Sequence, residues 1–168
     1  MADCCIPLDS DQAGFTPVGR QSSDTATPTL HCPHCQTKGK SVDTQTVKAQ
    51  LAVSLETLRS NQYRFCAAAR CPVVYYAEDV PQIYTEKDLR QRVFQKAGRD
   101  LNVTICYCFS MTLADLKSNN LQPPAITAIE RVNAGIQAGQ CACDIRNPQG
   151  SCCLGNLRAA LTHISAQE

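Results

Sequence analysis

Six of the chain's twelve cysteines fall between Cys106 and Cys153: a C-Y-C pair at Cys106 and Cys108, a C-A-C pair at Cys141 and Cys143, and the adjacent Cys152 and Cys153. Buried cysteine is common in cores, but packing alone does not call for two dense clusters on either side of a helical segment. Thiolates in this number hold metal, and an all-sulfur set with C-x-C spacing fits an iron-sulfur cluster, which takes four of them. Six candidates leave two to spare, so spacing alone does not choose among them.

A second set lies upstream. His31-Cys32-Pro33-His34-Cys35 contains a C-x2-C knuckle, and Cys66-Ala67-Ala68-Ala69-Arg70-Cys71 supplies a C-x4-C knuckle some thirty residues later. Two tight turns closing on one ion give four thiolates for a tetrahedral zinc site. His31 and His34 could replace a thiolate, but a neutral His beside a complete cysteine set more commonly belongs to the surroundings of the ion. Cys4 and Cys5 near the start have two readings: exposed, inert thiols, or a pair that captures and passes on a soft metal ion.

These thiols must be placed by short elements. Residues 1–30 are rich in Asp, Ser, Thr, Gly and Pro and read as a flexible tail. Val47, Leu51, Leu55 and Leu58 recur at helical spacing. Val73-Val74-Tyr75-Tyr76 and Ile83-Tyr84, on either side of Pro81, read as a β-hairpin. Thr85 with Glu86 and Asp88 predicts the cap of a helix through Leu89, Val93 and Phe94 to Gly98. Val103-Thr104-Ile105 leads into the C-Y-C pair, and Thr112 with Asp115 marks a short helix ending at Ser118-Asn119-Asn120. Pro123 and Pro124 suit the first turn of a helix carrying Ile126, Ile129, Val132 and Ile136, stopped by Gly139. Asn147-Pro148-Gln149-Gly150 is a turn, and Leu154, Leu157, Leu161 and Ile164 stripe a final helix starting at Cys153. The expected architecture is α+β: a tail (1–30), a zinc-knuckle unit of short β-hairpin plus helix (31–98), and a short-helix unit (99–168). So small a first unit depends on its ion, since structural zinc contributes on the order of 10–16 kcal/mol in such domains.

Composition excludes other classes. With 16 basic against 15 acidic residues there is no basic stripe for nucleic acid. No run approaches the length of a membrane span, and Met1 to Arg20 has no secretory signal, so a cytoplasmic protein is expected. In a reducing compartment the cysteines point to metal binding rather than disulfides. No Cys-His dyad for nucleophilic catalysis is evident, since His31 and His34 belong to the knuckle and His163 to the last helix.

The segment from Cys106 to Ile164 resembles the bacterioferritin-associated-ferredoxin type of 2Fe-2S domain. Most of the chain from Cys32 onward resembles the N-terminal domain of CopZ-type copper chaperones, which pairs a zinc site with such a cluster. The strings that carry the likeness are C-P-H-C, F-C-A-A-A-R-C-P-V-V-Y-Y, I-C-Y-C and C-D-I-R-N-P-Q-G-S-C-C. The resemblance implies zinc on Cys32, Cys35, Cys66 and Cys71. It implies a cluster on Cys106, Cys108, Cys143 and Cys153, with Cys141 and Cys152 as alternates. The copper-carrying ferredoxin-like domain of those chaperones, with its M-x-C-x-x-C loop, has no counterpart in the sequence up to Glu168.

The function expected from this is a non-enzymatic, metallochaperone-like protein handling copper or another soft metal beside a redox-active cluster. Cys4 and Cys5 are its candidate transferable-metal thiols, because thiolates select Cu(I). The partners expected are a soft ion such as Cu(I), and a metal-transporting ATPase, a separate copper chaperone or a redox partner. The competing expectation is a small electron-transfer ferredoxin serving a partner redox enzyme.

Overall fold

The computed structural model describes residues 29–98, 100–118 and 127–166. Cys4, Cys5, the tail as far as residue 28, Pro123, Pro124 and Ile126 lie outside the described residues, while Thr29, at the expected end of the tail, already donates its N–H to the Glu78 carbonyl at 2.9 Å.

The first unit is built on a four-stranded antiparallel sheet in the order β1-β2-β3-β4, from β1 (Lys40–Val42), β2 (Tyr63–Phe65), β3 (Val73–Ala77) and β4 (Ile83–Thr85). The β3–β4 hairpin is the one that Val73 to Tyr84 predicts; β1 and β2 are too short to show a sequence period of their own. Every residue of β3 is buried. Val73 and Tyr76 pack with the cysteines of the two knuckles, whereas Val74, Tyr75 and Ala77 join a core with Val42, Val47, Leu51 and Tyr63. A strand covered on both faces is continuously apolar, which is why this one stood out in the sequence.

Two expected helices are shorter than their apolar spacing implies. Helix α1 spans Thr44–Gln50 and stops before Leu51, whose backbone pairs with Leu89. The Ala52 N–H donates to the Asp88 carbonyl at 2.8 Å, and Arg90 N–H to the Gln50 carbonyl at 2.8 Å. Pairing between distant segments outcompetes helical continuation, and Leu55 sits in a single 3-10 turn, 47% exposed. The helix expected from Thr85 to Gly98 forms its capping box, then only one 3-10 turn over Glu86–Asp88 and another over Phe94–Lys96. At the start of the second turn the backbone N–H groups of Val93 and Phe94 donate to the Glu86 carboxylate (2.8 Å) and the Tyr107 hydroxyl (3.0 Å) instead of to helical carbonyls.

The second unit has a two-stranded sheet, β5 (Thr104–Cys106) and β6 (Met111–Thr112), followed by α2 (Leu113–Ser118), α3 (Ala128–Gln137), α4 (Cys143–Arg146) and α5 (Leu154–Ser165). Thr112 caps α2, accepting from the Asp115 N–H at 3.2 Å, and the Asp115 carboxylate accepts in return from the Thr112 N–H at 2.8 Å. Thr127 and Glu130 make the same reciprocal cap on α3, and Gly139 ends that helix at φ +67°. Ile105, Met111, Leu116, Val132 and Leu157 form the core, with Cys106 and Cys153 buried inside it.

Polar groups join the units. Thr46 and Gln50 are buried on α1 and donate to the carbonyls of Asp144 and Ile145 in α4, the latter at 2.7 Å. Tyr75, in the middle of β3, donates its hydroxyl to the Pro148 carbonyl at 2.5 Å. No described helix is long and apolar enough to cross a membrane.

Candidate metal centres

The first centre is assembled by two turns. The Gln36 N–H donates to the Cys32 carbonyl and Cys32 N–H to the Thr37 carbonyl, both at 2.9 Å, with Gln36 at φ +59°; this folds Cys32 and Cys35 inward. Cys66 follows β2 directly, and its N–H donates to the Val74 carbonyl of β3 at 2.9 Å. The loop back to Cys71 is tied by the Lys96 ammonium, which donates to the Ala68 carbonyl at 2.7 Å. The sulfurs of Cys32, Cys35, Cys66 and Cys71 all lie within 4.8 Å of one another, with Cys32–Cys71 at 3.7 Å and Cys35–Cys66 at 3.6 Å. A tetrahedron with Zn–S bonds of about 2.3 Å has edges of about 3.8 Å, so one zinc ion fits this set.

Protons are unevenly shared in the centre. Hydrogen bonds from Thr37 hold the Cys35 thiol down at about 6, while burial pushes Cys66 up to about 12 and raises Cys71. Cys35 is therefore the sulfur readiest to meet a cation as a thiolate, and Cys66 and Cys71 give up protons when one arrives. His34 is no member of the four-sulfur set, but its Nδ1 lies 3.6 Å from the Cys71 sulfur, the surrounding role expected of it.

The second centre gathers its sulfurs differently. Cys106 ends β5, and Tyr107 and Cys108 lie in the turn that leads to β6. Tyr107 is buried; its hydroxyl donates to the Arg92 carbonyl at 2.7 Å, fixing the β5–β6 turn against the first unit. Cys143 opens α4 and Cys153 precedes α5. Cys106 and Cys153, both 1% exposed, hydrogen-bond to each other, and Cys108 and Cys143 lie 3.6 Å apart. The Cys106–Cys153 hydrogen bond holds Cys106 down at about 7 and drives Cys153 up. Burial, followed by the hydrogen bond to Cys108, pushes Cys143 up to about 12. Cys106 and Cys153 are thus the buried sulfurs of this centre, and Cys108, Cys141 and Cys143 form a half-buried set whose sulfurs all lie within 4.8 Å of one another.

The alternates differ in burial and in their neighbours. Cys141 lies within 4.8 Å of both Cys108 and Cys143 and is half-buried, whereas Cys152 is exposed. His163 is exposed on α5 and is far in sequence from any cysteine except those at the helix start. Sequence reasoning did not find Tyr75, Thr46, Gln50 or Lys96, the residues that hold the cysteine loops. A tyrosine inside an apolar strand, and polar residues on the buried face of α1, were the available signals.

Residues 29–90, which carry the sheet, the knuckles and the four-sulfur set, match a family model described as a zinc binding domain. Over 124 residues, 74% of its length, the chain is 31% identical to the copper chaperone CopZ of Archaeoglobus fulgidus, of which it spans 58%. Its structure resembles the X-ray structure of that protein's N-terminal domain, with a TM-score of 0.60 and 28% identity over 77% of this chain and 96% of the other.

Proposed function

We propose that this is a cytoplasmic, non-enzymatic metal-handling protein of the copper-chaperone kind. In this reading one zinc ion sits on Cys32, Cys35, Cys66 and Cys71, and a 2Fe-2S cluster on Cys106, Cys108, Cys143 and Cys153. The observation that carries it is the contrast between a compact, complete sulfur quartet and a second, looser gathering of five sulfurs from three chain segments, in a chain aligned with CopZ. When bound, the cluster supplies one-electron chemistry. The chain's own contribution is to bury Cys106 and Cys153 on one side and leave Cys108 and Cys143 half-buried on the other, so the pair nearer solvent faces an incoming ion or partner. Soft thiols outside the eight ligands, including Cys4 and Cys5, hold Cu(I), and transporters or other copper carriers are the partners this predicts.

Anaerobic purification with iron, sulfide and zinc analysis and an absorption spectrum tests the assignment. About two irons, two sulfides and one zinc per chain are expected; a colourless protein holding zinc alone would remove the cluster. The half-buried Cys108–Cys143 pair equally favours a second reading, electron transfer to a partner enzyme. Titration with Cu(I) separates them: tight binding that weakens when Cys4 and Cys5 become Ser supports metal handling, and indifference to copper supports electron transfer.

A further inference from the structure

The sulfur of Cys141 is the one thiol near the second centre that the four-ligand assignment leaves unused while placing it among the ligands. Its Sγ lies within 4.8 Å of both Cys108 and Cys143. Between Cys141 and Cys143, the Ala142 N–H donates to the Cys108 sulfur at 3.4 Å, so the C-A-C turn wraps the Cys108 thiol. The turn is fixed at its entry, where α3 ends at Gly139 and the Gln140 N–H donates to the Gly135 carbonyl at 2.9 Å, and at its exit, where α4 is held by Thr46 and Gln50. No main-chain rearrangement is needed to bring Cys141 to Cys108, because the two sulfurs are already neighbours. Cys152 lacks this arrangement: it is exposed and is no member of the three-sulfur set.

We propose that Cys141 is an exchangeable ligand, taking the place of Cys143 beside Cys108 at the outer metal ion of the cluster. The inference rests on the cluster assignment above. In the exchange, the metal–sulfur bond to Cys143 breaks and one to Cys141 forms. The proton of the Cys141 thiol passes to the departing Cys143 sulfur, and no atom changes oxidation state. Such a site tolerates attack on one outer thiol, because a second can hold the ion in place.

The test compares wild type with Cys143→Ala, Cys141→Ala, the double variant, and Cys143→Ala with Cys152→Ala, by iron and sulfide content and by visible and EPR spectra. Zinc content serves as the folding control. Both single variants are expected to keep the cluster with all-thiolate spectra, the double variant to lose most of its iron, and removal of Cys152 to add nothing. A Cys143→Ala protein with normal zinc but no iron, or one whose cluster depends on Cys152, overturns the exchange alone. Wild type with zinc and no iron overturns the cluster and the exchange together. Alkylation of the loaded wild type gives an answer independent of any variant: Cys141 and Cys143 are expected to label at similar rates, both slower than Cys152. Labelling of Cys141 as fast as Cys152, with Cys143 fully protected, overturns the exchange.

Discussion

Tyr75 shows how much a single hydroxyl contributes here. Its ring fills the first core between Phe65 and Val74, and its hydroxyl satisfies the buried Pro148 carbonyl. Burial raises its pKa, so it stays a neutral donor at all physiological pH values. Tyr75→Phe keeps the ring and orphans the carbonyl, and should lower stability by about 1–3 kcal/mol in urea titration. The 147–150 turn should also become more labile in hydrogen exchange; an unchanged turn would show that the hydroxyl does not hold it. The cysteines themselves were legible, since types and spacing expose them without any knowledge of the fold. Tyr75 was not: a tyrosine in an apolar strand reads as packing, and only the fold reveals that its oxygen reaches a carbonyl more than seventy residues away.

Helix caps decide where the second unit's elements begin. Thr127→Ala removes the acceptor for the Glu130 N–H and should cost about 1 kcal/mol, measurable as a shift in the denaturation midpoint. For α2 the cap also makes a pH prediction. Backbone and side-chain hydrogen bonds from Thr112 hold the Asp115 carboxyl below its ordinary 3.8. Because the folded value lies below the unfolded one, the contribution is complete above 3.8 and is lost only as pH falls through the lower folded value. Asp115→Ala should therefore show the same deficit at neutral pH and at about pH 5, and a deficit that shrinks within that interval would contradict it. Gly135 lies where a Cβ would strike the Phe109 ring, so Gly135→Ala should destabilise despite the better helix propensity of Ala, by about 1–3 kcal/mol. Caps and the long stripes of α3 and α5 were readable because they are local signals. The stretch at 51–58 and the one at 89–98 were misread as helix because their periodicity is real, while their backbones are taken by Leu89, Glu86 and Tyr107. The four-residue α4, too short to carry a period, left no signal beyond its cysteine.

At the scale of the molecule, the two units are bound by polar groups rather than by one continuous core. Tyr75, Thr46, Gln50 and Tyr107 each join a segment of the zinc unit to a loop bearing the second unit's cysteines. Chelating the zinc should therefore do more than melt residues 29–90. Protection of the amides around Cys143 and Cys153 should fall with it in hydrogen exchange, and iron, where bound, should be lost faster. Retention of full protection there after zinc removal would mean that the second unit stands alone. Sequence could place two cysteine-rich regions in series, but not their dependence, because the bonds from α1 to α4 and from Tyr75 to Pro148 run between residues far apart in the chain.

The order of synthesis gives this dependence a direction. Cys32, Cys35, Cys66 and Cys71 all leave the ribosome before Cys106 does, so a zinc-loaded sheet can already present the Tyr75 hydroxyl when Pro148 emerges. The turn between Cys143 and Cys153 then closes onto a finished template, and a cell short of zinc would be left with the second set of cysteines ungathered.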